Sequence, residues 1–222
     1  EQIHNQDLEP DIIFNAVKNL HKRIQGSYAS IALISGHGLL AFRDPFGIRP
    51  LVLGKRISLI TQKEEWMVAS ESLVLENNDY QVVRDVEPGE AIFITHNGEF
   101  FSKQCSENPR LFPCAFEYVY LARPDSVMNG ISVYQARLKM GDYLAETIKQ
   151  RIQSGDVDVV MPIPDSSRPA AMQVARQLGI EYREGFFKNR YVGRTFIMPG
   201  HQKRKQSVRQ KLNAMSLSLI HI

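Results

Sequence analysis

Two stretches carry residue types whose spacing could do chemistry. The first is Lys188–Gly200, KNRYVGRTFIMPG, where Lys188, Arg190 and Arg194 alternate with Tyr191, Gly193 and Thr195 before an apolar run ends in Pro199-Gly200. Arginine presents a planar donor fork that matches phosphate oxygens, and lysine a compact point charge. Gly193 and Gly200 give such a loop the freedom to swing as a closing lid. The second is VVMPIPDSSRPAAMQVA, an apolar strand ending at Pro162–Pro164, then a loop of Asp165, Ser166 and Ser167, then a helix. In open α/β sheets, ligands bind beyond the carboxyl ends of strands, where helix N-termini offer free amides. There the Ser166 and Ser167 hydroxyls could join those amides around a phosphate or a hydrated Mg2+. Asp165 or either serine is also explained as an ordinary helix N-cap.

Charge is distributed unevenly. The 222 residues carry a net charge of +3, yet Arg183–Lys211 holds nine Lys or Arg against one acid, Glu184. The remainder is therefore net acidic, and the cations have a local purpose. A solvated surface loop is one reading. Nucleic-acid binding is another, with Tyr191 and Phe196 stacking on bases. The acidic remainder and the lack of a recognisable nucleic-acid module favour a small phosphorylated ligand.

The first half offers less. FRDPFGIRPL places Arg43, Asp44 and Arg49 beside sheet elements; one internal ion pair is expected, serving a turn rather than chemistry. His4, His21, His37, His96, His201 and His221 show neither metal spacing nor a nucleophile partner, and no G-x-S-x-G, Walker or G-x-G-x-x-G motif occurs. Cys105 and Cys114 are too few for a disulfide framework, fit a reducing cytosol, and lack metal-ligand spacing.

The elements that must position these residues follow from periodicity. Ile12, Ile13, Ala16, Val17, Leu20 and Ile24 recur at helical spacing over 11–24. YASIALI, LLAF and LVLG read as strands; WMVASESLVL and QVVRDVEPGEAIFITHNGEFFS continue the β pattern, with turns at Pro88-Gly89 and Asn97-Gly98. QCSENPRLFP reads as a linker, placing a domain boundary near residue 105. CAFEYVYLA is a strand or short element. VYQARLKMGDYLAETIKQRI predicts a helix, DVDVVMPIP a buried strand, RPAAMQVARQLG a helix stopped by Gly179, and IEYREGFF a strand: a parallel α/β unit. At 43% hydrophobic and 23% charged, this is ordinary globular composition. No apolar run approaches the ~20 residues of a membrane span, and EQIHNQDLEP does not read as a signal peptide.

FRDPFGIRPLVLGKR, VASES, EPGEAI, FEYVYLARPDS, MPIPDSS and KNRYVGRTFIMPG together resemble, in order from about residue 11 to Ala214, the glutamine phosphoribosylpyrophosphate amidotransferases of purine synthesis. RDPFGIRPL is also similar to motifs of other class II glutamine amidotransferases, whereas KNRYVGRTFI is close to diagnostic. The resemblance implies an α+β glutaminase part of N-terminal-nucleophile αββα type over 1–105. It implies an α/β type I phosphoribosyltransferase part over 106–214, both incomplete, and a tail of doubtful origin over 215–222. The implied activity makes 5-phosphoribosylamine, glutamate and pyrophosphate from glutamine and phosphoribosylpyrophosphate. Ser166 matches the position that helps hold Mg2+ with the diphosphate. Lys188, Tyr191 and Arg194 match the loop that closes over phosphoribosylpyrophosphate. Purine nucleotides as feedback inhibitors, a homo-oligomer and a cytoplasmic location are also implied, without nucleic-acid or membrane partners. A non-catalytic, nucleotide-sensing module of phosphoribosyltransferase type is the alternative.

Departures from the family pattern are equally specific. The family's nucleophile is an N-terminal cysteine; this sequence begins at Glu1, and neither Cys105 nor Cys114 replaces it. The aspartate loop expected after residue 214 is replaced by MSLSLIHI. The sequence is thus expected to be an internal fragment inactive in both half-reactions, an expectation that pyrophosphate release from glutamine, phosphoribosylpyrophosphate and Mg2+ would overturn. Some relatives bind an iron–sulfur cluster, and Cys114 matches one ligand position. CSENPRLFPC looks more like the cluster-free members, so no cluster is expected.

Overall fold

In the computed structural model the described residues are 8–153, 155–193, 195 and 199–215. They divide into two compact units, 1–133 and 134–222. The first contains α1 (Pro10–Arg23), β1 (Ala29–Ile34), β2 (Gly38–Arg43), β3 (Val52–Ile57), β4 (Glu64–Ala69), α2 (Ser72–Glu76), β5 (Gln81–Asp85), β6 (Glu90–Thr95), β7 (Phe100–Gln104), β8 (Val127–Met128) and β9 (Ile131–Ser132). From Val133 onward come α3 (Val133–Lys149), β10 (Val159–Val160), α4 (Arg168–Leu178), β11 (Glu181–Tyr182), β12 (Phe186–Lys188), α5 (His201–Lys211) and β13 (Leu212–Ala214).

Helix α1 starts with Pro10, whose missing N–H costs nothing in a first turn, and ends with His21, Lys22 and Arg23, which suit the negative helix end. Its buried face is Ile13, Phe14 and Val17, with Leu20 packed beside them, whereas Ile12 and Ile24 are exposed. This face lies on Phe42, Ala91 and Phe93 of the antiparallel sheet β1-β2-β6-β7. Alternate residues of the same strands, Ala41, Ile92 and Ile94, point the other way and meet Leu51, Leu53, Val86, Trp66 and Val68. Those belong with the sheet β4-β3-β5. The far side of that sheet offers Val52 and Ala69 to Leu75 of α2. A period-two pattern buried on both faces thus builds four layers, helix, sheet, sheet and helix. SLVL, expected to extend a strand, is instead the short helix α2; an apolar run this short fits either state until its packing decides.

His21 ties α1 to the sheet: Nδ1 lies 2.6 Å from the Tyr28 hydroxyl and Nε2 3.2 Å from the Gly89 carbonyl. Burial pushes its pKa below 6.5, although the Gly89 carbonyl and Asp44 pull the other way. A histidine held neutral in the fold takes up a proton on unfolding below its ordinary pKa, so stability falls as pH drops through about 6.5. Thermal melts between pH 7.5 and 5.5 are expected to show a steeper loss for the parent than for His21→Gln. Parallel curves would contradict this.

QCSENPRLFP, residues 104–113 and expected as a linker, runs with the residues just after it along the turn that follows β2. Arg110, Phe112 and Cys114 amides donate to the carbonyls of Pro45 (3.0 Å), Phe46 (2.7 Å) and Ile48 (3.1 Å). FEYVYLA closes one wide helical turn, with Ala122 N–H reaching the Glu117 carbonyl at 2.9 Å. Then Glu71 Oε2 accepts from the Arg123 amide (2.9 Å) and the Ser126 hydroxyl (2.6 Å), and Ser72 Oγ accepts from the Val127 amide (3.0 Å). The change in composition near residue 105 therefore precedes the change in packing, which falls at 133/134.

In the second unit β10 and β11 pair in parallel, flanking α4 in sequence, as a β-α-β unit requires. Gly179 ends α4 at φ 68°, the left-handed geometry glycine adopts most readily. Helices α3 and α4 approach closely at Gly141, where an added Cβ would lie 2.6 Å from the Ala170 carbonyl oxygen and 2.8 Å from Gln173 Cβ. Asp142 Oδ1 accepts from Gln173 (2.7 Å) and Gln177 (2.8 Å) at the same crossing. Gly141→Val is expected to destabilise this unit by about 1–3 kcal/mol through overpacking. That exceeds the few tenths of a kcal/mol gained in helix propensity. Chemical denaturation followed by circular dichroism reads the change; an unchanged midpoint would contradict the close approach.

Candidate functional site

The loop between β10 and α4 turns a corner at Pro164–Ser167, with the Pro164–Asp165 peptide cis. Ser167 occupies the N-cap position of α4 without capping it; its hydroxyl donates instead to the Ile163 carbonyl at 2.5 Å. Ser166 is half-buried at the same corner, and the Asp165 carboxylate faces outward. Of the two roles open to these residues, side-chain capping by Ser167 is not the one adopted.

Asp165 is instead the centre of a chain of alternating charges. Its Oδ2 accepts from the Lys188 ammonium, and its Oδ1 lies 3.3 Å from Arg168 Nη1. Arg168 Nε is in turn 3.0 Å from Glu184 Oε1, an ion pair without hydrogen-bond alignment. Glu184 Oε1 also accepts from the Tyr182 hydroxyl at 2.8 Å. Burial, then this bond to a carboxylate, pushes the Tyr182 pKa up to about 12. Two cations and two anions alternate, so the cluster is nearly neutral, and the Asp165, Arg168 and Glu184 side chains are a third or more exposed. Exposed ion pairs contribute at most about 1 kcal/mol each, so these partners are readily exchanged.

Lys188 reaches the corner because of how the basic segment is anchored. Strands β12 and β13 pair antiparallel, Phe186 opposite Ala214 and Lys188 opposite Leu212. The Asn189 amide donates to the Lys211 carbonyl at 2.7 Å, and Met215 N–H to the Gly185 carbonyl at 3.0 Å. Residues 189–211 are therefore an excursion from a two-stranded base whose inner end presents Lys188 to Asp165. Lys211 Nζ donates to the Gly193 carbonyl at 2.8 Å, and α5 has no buried residue. Tyr191 is 100% exposed, and Arg190 is exposed. Arg194 and Phe196 lie outside the described residues, as do 216–222.

Lys188 and Ser166, expected on chemical grounds, thus share one corner, while Tyr191 stands in solvent. Sequence reasoning does not single out Arg168, Glu184 or Tyr182, although Arg168 stands beside the two serines and Glu184 is the lone acid of the basic segment. The donors at the corner are hard oxygens, Asp165 carboxylate and Ser166 hydroxyl, and among the described residues no three His, Cys, Asp or Glu gather as a metal cage. Such a set fits a Mg2+ that arrives already bound to phosphate and keeps waters. Cys105 is buried with its S–H toward the Phe14 and Lys103 carbonyls, and burial pushes its thiol pKa up; Cys114 is half-buried.

In the first unit, Arg43 and Asp44 do not pair with each other. Buried Arg43 donates to the carbonyls of Arg49 (2.7 Å), Val86 (2.7 Å) and Gly47 (2.8 Å), and to Asn129 Oδ1 (3.1 Å). Burial lowers its pKa, opposed by Asp85 and Asp44. Buried Asp44 accepts from the amides of Phe46, Ile48, Arg49 and Tyr28. The ion pair forms elsewhere, Arg49 Nη1 to Glu117 Oε1 at 2.8 Å. FRDPFGIRPL is turn architecture here.

No family model matches the sequence. Curated relatives do. The amidophosphoribosyltransferase of Pseudomonas aeruginosa is 54% identical over 212 residues, 96% of this chain and 42% of that protein. The chain matches the amidophosphoribosyltransferases. The Saccharomyces cerevisiae amidophosphoribosyltransferase is 47% identical over 217 residues, 96% of this chain and 41% of its own length. Among solved structures, glutamine phosphoribosylpyrophosphate amidotransferase from B. subtilis, complexed with ADP and GMP, aligns with a TM-score of 0.70 at 38% identity. That alignment covers 89% of this chain and 41% of the other. The chain thus spans about two fifths of the length of these amidophosphoribosyltransferases, and its α+β architecture is theirs over that span.

Proposed function

We propose that the chain is part of an amidophosphoribosyltransferase, which makes 5-phosphoribosylamine, glutamate and pyrophosphate from glutamine and phosphoribosylpyrophosphate, the first committed step of purine synthesis. The four-layered first unit serves as part of the glutaminase, and the β-α-β unit with its basic excursion as part of the phosphoribosyltransferase. One observation carries the reading: the β12–β13 base delivers Lys188 to the Pro164–Ser167 corner. There the Lys188 ammonium and Arg168 guanidinium neutralise the charge that grows on departing pyrophosphate, and Ser166 contributes a hydroxyl. Ser166, with the Asp165 carboxylate next to it, would hold a Mg2+ that arrives with the diphosphate, and the ion would supply further positive charge to the leaving group. Tyr191 and Arg194 close over the ribose from the excursion and keep water from the reactive carbon. An iron–sulfur cluster has no place in this reading.

ADP and GMP accompany the B. subtilis neighbour, and purine nucleotides are proposed as regulators here. A homo-oligomeric assembly in the cytoplasm is proposed with them. Among the described residues no helix is long and apolar enough to cross a membrane. Calorimetric titration tests the reading. Phosphoribosylpyrophosphate with Mg2+ is expected to bind saturably and ribose 5-phosphate at least about tenfold more weakly, since it lacks the diphosphate. Affinity for duplex DNA with no response to phosphoribosylpyrophosphate would contradict it.

A further inference from the structure

The proposed function assigns the cations at the corner to pyrophosphate and gives Asp165 only a place beside the Mg2+ that arrives with it. A carboxylate is an unexpected neighbour for a diphosphate, because like charges at close range repel. Yet Asp165 sits where the two meet. Its two oxygens face Lys188 and Arg168, the cations a diphosphate would need. Neither pair is deeply buried: side-chain exposures are 49% for Asp165, 26% for Lys188 and 43% for Arg168. Arg168 has a second acid, Glu184, to hold it if Asp165 lets go, and Glu184 is itself steadied by the Tyr182 hydroxyl.

We propose that Asp165 is a specificity-determining residue that makes the corner prefer a metal-complexed diphosphate over a metal-free one. This rests on the proposed phosphoribosyltransferase reading. A free diphosphate must take Lys188 and Arg168 from Asp165 and leave that carboxylate facing its own charge. A diphosphate carrying Mg2+ presents a cation to the same carboxylate, so the cost of releasing Lys188 is offset by a new opposite charge. Asp165 therefore penalises the free anion and tolerates the complex. Its position decides this rather than its acidity alone: Glu184, one partner further along, touches Arg168 but not Lys188 and has no such leverage.

The test uses inorganic pyrophosphate as probe, titrated calorimetrically into the 222-residue chain with excess Mg2+ and again with EDTA. The parent is expected to bind the Mg2+ complex more tightly. Asp165→Asn should bind metal-free pyrophosphate about three- to tenfold more tightly than the parent, the range expected for two exposed pairs released at once. The ratio of the two affinities should fall by at least that factor. Asp165→Ser, which cannot misplace an amide, should behave like Asp165→Asn, and Asp165→Glu should restore the parental ratio. A purely structural residue would weaken both titrations together. An unchanged or raised ratio in both Asp165→Asn and Asp165→Ser overturns the proposal. If Lys188→Met still weakens binding of the Mg2+ complex in that case, the proposed function stands while the role of Asp165 falls. If the parent binds neither form and Asp165→Asn gains nothing, both fall.

Discussion

Asp44→Ala is expected to destabilise the first unit by roughly 3–5 kcal/mol, a large share of the ~5–15 kcal/mol that holds a typical domain together. The Asp44 side chain is wholly buried, and its two oxygens accept four backbone amides at 3.0 to 3.4 Å. Alanine leaves those donors buried without partners, and each orphaned donor costs about 1–3 kcal/mol, although such costs do not add fully. The damage spreads because the same turn seats the 106–116 segment through the Pro45, Phe46 and Ile48 carbonyls. Asp44→Asn keeps the shape but turns an NH2 toward amides, so it should lose part of the same stability. Trp66, the single tryptophan, packs on Phe100 at 4.5 Å in this unit, so its fluorescence follows urea unfolding there. A loss below about 1 kcal/mol would show that the buried carboxylate is not what organises the turn.

Lys188→Met is expected to weaken binding of phosphoribosylpyrophosphate with Mg2+ by about 10- to 100-fold, the value of a charge-assisted contact of roughly 1.5–3 kcal/mol. Methionine keeps an unbranched side chain, one atom shorter, and removes the ammonium with its charge and donors. Lys188→Arg should recover part of the loss, because the fork still reaches phosphate oxygens from a shifted position. Lys55→Met, which alters a lysine of the first unit paired with Glu64, should leave the titration unchanged. Equal affinities for the parent and Lys188→Met would remove Lys188 from the site.

Much of the scaffold is legible in the sequence because its signals are local. Alternation in GLLAFR and EAIFIT, the Asn97-Gly98 turn and the helical spacing before Arg23 each specify their own element, and the two sheets follow once both strand faces must be buried. The α2 segment reads as strand because SLVL carries no period long enough to decide. The 104–113 segment reads as linker because it is held largely by backbone bonds to another loop, which leave no mark on side-chain patterning. Within the site, cations and hydroxyls are recognisable by type. The pairing of Lys188 with Asp165 is not, because it joins residues 23 apart in sequence and depends on the register of β12 against β13. Arg168 and Glu184 are hidden for the same reason: ion pairs between elements are tertiary facts.

Lys188 sits at the centre of the account, and its chemical reactivity can be read directly. Brief acetylation of the chain, with and without phosphoribosylpyrophosphate and Mg2+, can be quantified at each lysine by mass spectrometry. Strong protection is expected at Lys188, with Lys203 and Lys205 on exposed α5 labelled as before. Saturable binding that leaves Lys188 as reactive as in the absence of ligand would contradict the account.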